Sequence, residues 1–291
     1  AATTAGPAPF QGGTLIAPDD IDEINDSTKL LSYSVVDMRL NKGKGEIVER
    51  NIPIATQTTE RITSAKNPRD STYWVVSHDF KNNIFRVSHL TKQGLSPAKT
   101  YPLGLPHDAN TAGEGQMKIS PDGKKIAVVV PGPPKNYVEI FNFNDSTGAI
   151  TGPALRLDLG PAPPSAYGLE FSPDGSKVYV SMKGDTAKKA SSLLLQYDLS
   201  LQDSLFVARS RTVIDSSATE IFGSLQYAPD NKIYLAKQGS KTLGVINQPN
   251  GNTKSAVNYN SSGFDLAGRL SELGLPNLVQ NDIQQSSGPG I

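Results

Sequence analysis

The sequence predicts an all-β protein, a β-propeller of four-stranded antiparallel blades, and three observations support that prediction. A turn built around Pro and Asp occurs four times, as Asn67-Pro68-Arg69-Asp70, Ser120-Pro121-Asp122-Gly123, Ser172-Pro173-Asp174-Gly175 and Ala228-Pro229-Asp230-Asn231. The prolines follow one another at intervals of 53, 52 and 56 residues, a repeat length typical of propeller blades. A short alternating segment precedes each turn, and a strand rich in β-branched or aromatic residues follows it.

The unit around the third turn is the clearest, and its elements are taken here in chain order. Tyr167–Phe171 alternates polar and apolar residues, which indicates an inner strand. In the turn Ser172–Gly175, proline presets φ, aspartate hydrogen-bonds the nearby backbone and glycine accepts a positive φ. Lys177–Ser181 and Leu193–Leu199 are predicted as the second and third strands, and the weaker segment Ser210–Ile214 as the fourth.

The other three units repeat this order and predict the same meander. Their first three strands are expected at Arg61–Ser64, Tyr73–Val76 and Ile84–Val87; Gln116–Ile119, Lys125–Val130 and Tyr137–Phe143; and Ser224–Tyr227, Lys232–Ala236 and Leu243–Ile246. A single small sheet cannot cover both of its apolar faces, so stacking around a common axis is favoured. A β-sandwich also has short strands and polar turns, but it does not account for the even spacing of one turn type.

The chain is predicted to form about six or seven blades, the first of them incomplete at its N-terminal side. The predicted boundaries are a flexible segment at 1–12, the propeller at 13–280 and a flexible tail at 281–291. Within the propeller, the sequence places a partial blade and four full ones before a closing strand, at 13–56, 57–110, 111–165, 166–222, 223–270 and 271–280.

The two ends of the chain do not match its middle. Ala17-Pro18-Asp19-Asp20 carries the turn signal, but the residues that follow, 21–26, do not form an apolar strand. Because an unpaired strand edge invites association, a propeller usually closes its ring with strands from both ends of the chain. We therefore expect a preceding segment of the protein, or another chain, to complete the first and last blades.

Composition excludes several classes of function. The 28 basic and 28 acidic residues balance, so no electrostatic footprint for nucleic acid is expected. The absence of cysteine removes disulfides, thiolate metal sites and cysteine nucleophiles. No apolar run is long enough to span a bilayer, so membrane insertion is not expected.

Several stretches of the sequence resemble one group of secreted bacterial propellers, namely Leu31–Asn41, Lys42–Gly45, Asn51–Ile54, Thr59–Thr63, Asp70–His78 and Gly274–Asn277. These modules occur in large cell-surface proteins exported by the type IX secretion system, and the similarity covers about residues 13–280. The resemblance implies a propeller fold, a secreted or surface location and a role in adhesion or assembly. It also implies a further N-terminal segment that helps to build the ring, and it offers no catalytic residues.

The candidate ligand-binding residues are His107, Asp108 and Glu114, in a polar loop before a predicted inner strand. Loops entering inner strands open onto one face of a propeller at the central funnel, where ligands commonly bind. His78 and His89 are interpreted as strand-end residues. The acidic cluster in residues 19–26 lacks the spacing of a calcium loop and is interpreted as solvated.

Two classes of function remain after this search. The first is a non-catalytic interaction module that binds a protein partner or another copy of itself, with no cofactor, metal or catalytic residue. The second is a lactonase-like propeller enzyme that acts on a small molecule in the central funnel. The charged candidates near the inner strands are Glu60, Glu114, Lys118 and Glu170. Too few of them are expected to converge for catalysis, so the sequence favours the interaction module.

Overall fold

The computed structural model describes residues 30–108, 113–201 and 203–283. Four antiparallel sheets in this part of the chain form blades I to IV around a common axis, which makes the fold a β-propeller. The first strand of each blade in the sequence lies innermost, where it contacts the first strand of a neighbouring blade.

The strands follow one another in simple meanders. A two-stranded ribbon comes first, formed by β1 (Leu30–Asp37) and β2 (Glu46–Thr56). Blade I contains β3 (Thr58–Lys66), β4 (Tyr73–Asp79), β5 (Ile84–Thr91), the short β6 (Gly94–Leu95) and β7 (Lys99–Pro102). Blade II contains β8 (Met117–Ile119), β9 (Lys125–Val130), β10 (Lys135–Asn144) and β11 (Ala149–Pro161).

Blades III and IV continue the same pattern. Blade III contains β12 (Ser165–Phe171), β13 (Lys177–Lys183), β14 (Ser192–Asp198) and β15 (Thr212–Ser217), with the helix α1 (Ser204–Arg209) before its last strand. Blade IV contains β16 (Ile221–Tyr227), β17 (Ile233–Gln238), β18 (Thr242–Ile246) and β19 (Tyr259–Asp265). Single 3-10 turns occur at Asn41–Gly43 and Gln280–Asp282.

The prediction of six or seven blades is wrong, because the described residues form four. The expected partial first blade is only the ribbon β1–β2, a sheet of its own. Residues 271–280, expected as a closing strand, do not form a strand. The backbone of Ser271 and Leu273 bonds blade IV, and the side chain of Asn277 bonds Ile62 of blade I. The turn signal at Pro18 and the segment 1–12, predicted to be flexible, lie outside the described residues. Most of the tail predicted to be flexible at 281–291 also lies outside them, but its first residues, Asn281 and Asp282, belong to a 3-10 turn and bond Lys66 of blade I.

The repeated turn has the same geometry in blades II and III, which explains why the sequence repeats it. In blade II the hydroxyl of Ser120 donates to Asp122 Oδ1 over 2.6 Å and accepts the N–H of Lys125 over 2.9 Å. In blade III, Ser172 makes the equivalent bonds to Asp174 and Lys177, at 2.7 and 2.9 Å. These bonds satisfy backbone groups that would otherwise bond solvent, and they fix the connection between the inner strand and the second strand of each blade.

The hydrophobic core consists of three clusters, one in each seam between neighbouring blades. Strand β9 shows how one sheet serves two seams: Ile126 and Val128 face blade I, whereas Ala127 and Val129 face blade III. This alternation is the period-two pattern of a strand that is buried on both faces. Each fully buried aliphatic side chain contributes about 1.5–3 kcal/mol.

The seam between blades I and II also contains the single tryptophan of the chain. Trp74 donates its indole N–H to the carbonyl of Asp145 over 2.6 Å, and its ring stacks on His89 with centroids 4.2 Å apart. A Cβ added at Gly148 would meet this ring. The turn between β10 and β11 of blade II is therefore packed closely against blade I.

The segment 271–283 lies between blades IV and I. The backbone N–H of Ser224 donates to the carbonyl of Leu273 over 2.7 Å, on the side of blade IV. On the side of blade I, the amide of Asn281 bonds the backbone N–H and carbonyl of Lys66, at 2.8 and 2.9 Å. Asp282 adds bonds to Lys66 Nζ at 2.5 Å and to the hydroxyl of Tyr73 at 2.8 Å.

Candidate functional site

A group of charged and aromatic side chains gathers where the inner strands begin and the second strands end, a region called the mouth below. Antiparallel pairing places these ends together, for example Ser165 opposite Lys183. The mouth is defined by Glu60, Arg61, Glu114, Tyr167, Lys183, Glu220 and Lys237. Within it, Lys183 forms an ion pair with Glu114, and Lys237 Nζ lies 2.8 Å from Glu220 Oε1.

Arg61 is the central charge of the mouth and is almost fully buried. Its Nε donates to the carbonyl of Val129 over 3.0 Å, and its Nη2 donates to the carbonyl of Glu114. Burial lowers the pKa of Arg61 to about 10, although Glu60 and Glu114 oppose that effect. Burial also raises the pKa of Glu60, whose carboxylate accepts the backbone N–H of Gly115.

The predicted binding residues do not form one site. Glu114 is at the mouth with 47% of its side chain exposed, and its partner Lys183 stands over the ring of Tyr167 at 5.3 Å. Asp108 is exposed. His107 is buried instead, because its ring stacks on His78 with centroids 3.7 Å apart. His78 itself lies within β4 and His89 within β5.

The two stacked histidines carry unsatisfied ring nitrogens. His78 Nδ1 lies 2.7 Å from the carbonyl of Asp79. Within the described residues, His78 Nε2 and both ring nitrogens of His107 have no hydrogen-bond partner. Burial, assisted by the charge of Arg61, lowers the pKa of His78 to about 3 and lowers that of His107 well below its usual range. Both rings are therefore neutral at pH 7.

Below the mouth, polar side chains from several blades fill the axis. Lys118 Nζ lies 3.4 Å from Glu170 Oε2, and it donates to Gln226 Oε1 over 2.7 Å and to Asn277 Oδ1 over 3.2 Å. The amide of Gln280 donates to Glu170 over 2.9 Å. This axial network joins blades II, III and IV to the segment 271–283.

The side chain of Gln116 binds the same blades together closer to the mouth. Its Oε1 accepts the backbone N–H of Leu169 over 3.0 Å and that of Leu225 over 2.8 Å. One amide of blade II therefore reaches two further inner strands. The inner strands are thus too close together here to leave a wide channel along the axis.

Sequence reasoning missed Arg61, Lys183 and Lys237 as residues of the mouth. Lys183 ends β13, and Lys237 is the last residue but one of β17. Both lysines interrupt an apolar run at the end of a second strand. That shared position is the signal that could have located them, whereas Arg61 carries no such signal.

Charged side chains of the mouth and of the axial network are engaged with partners within the chain. The mouth contains the ion pairs Lys183–Glu114 and Lys237–Glu220, and the carboxylate and ammonium of the axial network are enclosed. Among the described residues, no three His, Cys, Asp or Glu side chains gather as a metal site. The helices of this part of the chain are too short to cross a membrane.

Comparison with known proteins gives a limited result. No protein-family model matches the chain, and no curated protein sequence matches it either. Solved structures that resemble it include a candidate 6-phosphogluconolactonase from Bacteroides fragilis, with 15% identity, coverage of 82% of this chain and 67% of that chain, and a TM-score of 0.49.

Two further structures complete the comparison. A candidate 6-phosphogluconolactonase from Bacteroides uniformis has 19% identity, coverage of 83% of this chain and 67% of that chain, and a TM-score of 0.49. The WD40 repeats of RRP9 have 14% identity, coverage of 67% and 50%, and a TM-score of 0.37. At these values the likeness concerns the fold and gives no argument about activity.

Proposed function

We propose that this chain is a non-catalytic interaction module of a secreted or cell-surface protein, acting in adhesion or assembly through protein–protein contacts. The observation that supports the proposal most is the axial network, in which Lys118, Glu170 and Gln280 close the axis. Catalysis in a propeller funnel needs open space in which an acid, a base and an electrophile converge on a substrate. In this chain the charged side chains along the axis bind one another, so they stabilise the fold.

The ribbon β1–β2 supports the other half of the proposal, because it presents apolar side chains to solvent. Val36, Met38, Leu40, Ile47 and Val48 are all exposed there. Clusters of exposed apolar side chains often mark surfaces that bind other proteins. The surface location and the role in adhesion rest on the family resemblance described above, and labelling of intact source cells with an antibody against the chain tests that location.

A second candidate function is a lactonase-like enzyme, and one observation favours it. His78 and His107 bring three unsatisfied ring nitrogens close to Arg61, and Arg61 contacts Glu114 at the mouth. A neutral imidazole can act as a general base, but the lowered pKa values of these two rings make them weak bases at pH 7. Both rings are buried and stacked, however, so a substrate would have to displace other side chains to reach them.

An assay of lactone hydrolysis separates the two functions. The purified chain is incubated with 6-phosphogluconolactone, the substrate named for two of the similar structures, and with a simple δ-lactone. We expect the hydrolysis rate in buffer alone. A rate that rises with protein concentration, and that falls in both Glu114→Gln and His107→Gln, would refute the non-catalytic proposal and support the lactonase.

A further inference from the structure

Lys118 is a nucleophile that the axis holds away from solvent. Its side chain has no exposed surface, and its Nζ lies 3.4 Å from Glu170 Oε2. The same nitrogen contacts two side-chain amides, because it donates to Gln226 Oε1 over 2.7 Å and to Asn277 Oδ1 over 3.2 Å. An amine, a carboxylate and a carboxamide therefore meet at one atom. These are the groups needed to form an amide bond between two side chains.

Glu170 is placed to take a proton from this amine. Burial lowers the pKa of Lys118 and raises that of Glu170, because water no longer solvates either charge. A proton therefore passes from the ammonium to the carboxylate more readily than it would in water. The backbone N–H of Tyr227 and the amide of Gln280 each donate to Glu170 Oε2 over 2.9 Å, so the base is fixed beside the amine. The neutral amine that results is a nucleophile, whereas the ammonium is not.

Asn277 is the amide that is better placed to react. Its Oδ1 accepts from Lys118, and its Nδ2 donates to the carbonyl of Ile62 in blade I, so both ends of the carboxamide are held. Asn277 is exposed, whereas Gln226 is only 5% exposed. Ammonia released from Asn277 can therefore enter solvent directly, but ammonia from Gln226 would be enclosed. The shorter bond to Gln226 orients the amine.

We propose that Lys118 and Asn277 form an intramolecular amide bond between their side chains, with Glu170 as the base. Glu170 accepts one proton from Lys118, and the lone pair of Nζ then attacks Cγ of Asn277, which forms the Nζ–Cγ bond. The Cγ–Nδ2 bond breaks, and Nδ2 leaves as ammonia with a second proton from Nζ. The reaction needs no oxidant or other reactant. It occurs once in each chain, so it is separate from the function proposed above.

The bond would join two distant parts of the ring. Lys118 lies on β8 of blade II, and Asn277 lies 159 positions further along, in the segment between blades IV and I. A covalent link over that interval closes a long loop in the unfolded chain and lowers its entropy. The reaction also leaves Lys118 and Glu170 uncharged, which removes two charges from a buried place where charge is costly.

The mass of the intact chain tests the bond. The full chain is purified in its folded form, and its mass is measured after denaturation. We expect a mass lower by one ammonia than the value calculated from the expressed sequence. Tandem mass spectrometry of a protease digest should find a branched peptide that joins Lys118 to Asn277. On a denaturing gel, the wild type should migrate faster than Lys118→Met, because its closed loop is more compact.

Three variants identify the reacting groups. Lys118→Met and Asn277→Ala should each keep the full calculated mass, because one lacks the nucleophile and the other lacks the electrophile. Glu170→Gln should form the bond at least about a hundredfold more slowly, since a general base typically contributes that much. Circular dichroism shows which variants are folded. Asn277→Ala is expected to keep the fold best, because Asn277 is exposed.

A second source of ammonia loss needs a control. Asn250 precedes Gly251, and an Asn-Gly pair can itself lose ammonia when the side chain cyclises onto the backbone. Asn250→Ala is therefore the matched control for Asn277→Ala. The loss of mass should persist in Asn250→Ala and disappear in Asn277→Ala.

The remaining outcomes overturn the proposal. A folded wild-type chain with the full calculated mass shows that no bond forms. A loss that persists in Lys118→Met, or that Asn250→Ala abolishes, shows that the reaction lies elsewhere in the chain. A branched peptide that joins Lys118 to Gln226 shows that Asn277 is not the electrophile. None of these results involves partner binding or lactone hydrolysis, so the proposed function would be unaffected.

Discussion

The ammonium of Lys118 lies 3.4 Å from the carboxylate of Glu170, and neither side chain has any exposed surface. Burial lowers the pKa of Lys118 and raises that of Glu170, while their mutual attraction opposes both changes. Glu170 also accepts the backbone N–H groups of Phe171 and Tyr227, at 3.0 and 2.9 Å. The pair therefore links two inner strands, β8 of blade II and β12 of blade III.

Breaking this pair should destabilise the fold strongly. Glu170→Gln removes the negative charge and leaves the Lys118 ammonium buried without its counter-ion, so the free energy of unfolding should fall by about 3–5 kcal/mol. Urea unfolding followed by circular dichroism measures the loss. The double variant Lys118→Met with Glu170→Gln should lose less than the two single variants together, because no charge remains buried.

A surface pair provides the control for that experiment. Lys135 and Asp158 lie 2.6 Å apart, with 49% and 46% of their side chains exposed. Lys135→Met should cost less than about 1 kcal/mol, because solvent screens exposed pairs. Equal losses in Glu170→Gln and Lys135→Met would contradict a structural role for the axial pair.

The stacked histidines should make stability depend on pH. Their pKa values in the folded chain lie below the unfolded value of about 6.5. As the pH falls from about 7 to 5.5, the unfolded chain binds protons that the folded chain excludes, so each histidine should remove about 1 kcal/mol of stability. Above pH 7 their contribution is constant.

The variant His107→Gln tests this origin. Its free energy of unfolding should be lower than that of the wild type at pH 7, because the site is packed around an imidazole. Between pH 7 and 5.5, however, its free energy of unfolding should fall by about 1 kcal/mol less than that of the wild type, because one of the two histidines is gone. An unchanged loss over this interval would show that the proton-binding groups lie elsewhere.

Gly168 is expected to tolerate no side chain. A Cβ at this position would lie 2.5 Å from the carbonyl oxygen of Gly223 in the next blade, and equally close to the hydroxyl of Ser181. Gly168→Ala should therefore force the inner strands apart and lower stability by about 1–3 kcal/mol. Gly274→Ala is the matched control, since a Cβ there would meet nothing within 4 Å. Similar melting midpoints for both variants would contradict the close approach of the blades.

The anchoring of the segment 271–283 can be tested at Asn281. Asn281→Ala removes two hydrogen bonds to the backbone of Lys66 and should cost about 1–3 kcal/mol, with faster hydrogen exchange in β3. Asn250→Ala is the control, because the bond that the Asn250 side chain accepts from the described residues is a long one, 3.4 Å from the N–H of Asp174. Unchanged exchange in β3 would show that the segment does not secure blade I.

The repeat was predictable because the turn chemistry is local. The strands predicted around Ser120 and Ser172 are observed, since the Pro-Asp-Gly sequence encodes the bonds that form there. Blade number was not predictable in the same way. The number of blades depends on which short segments pair as strands. Residues 30–56 form a separate ribbon, although their sequence predicts part of a blade.

The site was less predictable than the fold. His107 lies in a polar stretch of sequence, yet the ring of His78 covers it, and no local pattern records that contact. Lys118 and Glu170 were recognised as charges near inner strands, but their pairing joins residues 52 positions apart. Contacts across the axis depend on how the blades close, which a pattern within one blade does not contain.

The position of Trp74 gives this chain a built-in optical reporter. Because it is the only tryptophan in the sequence and bridges blade I to the carbonyl of Asp145, its emission follows the opening of that one seam. Ellipticity, by contrast, records the strands of every blade. If blades separate one at a time during unfolding, as nearest-neighbour stacking permits, the two signals will have different midpoints, and their order will show whether this seam opens early or late.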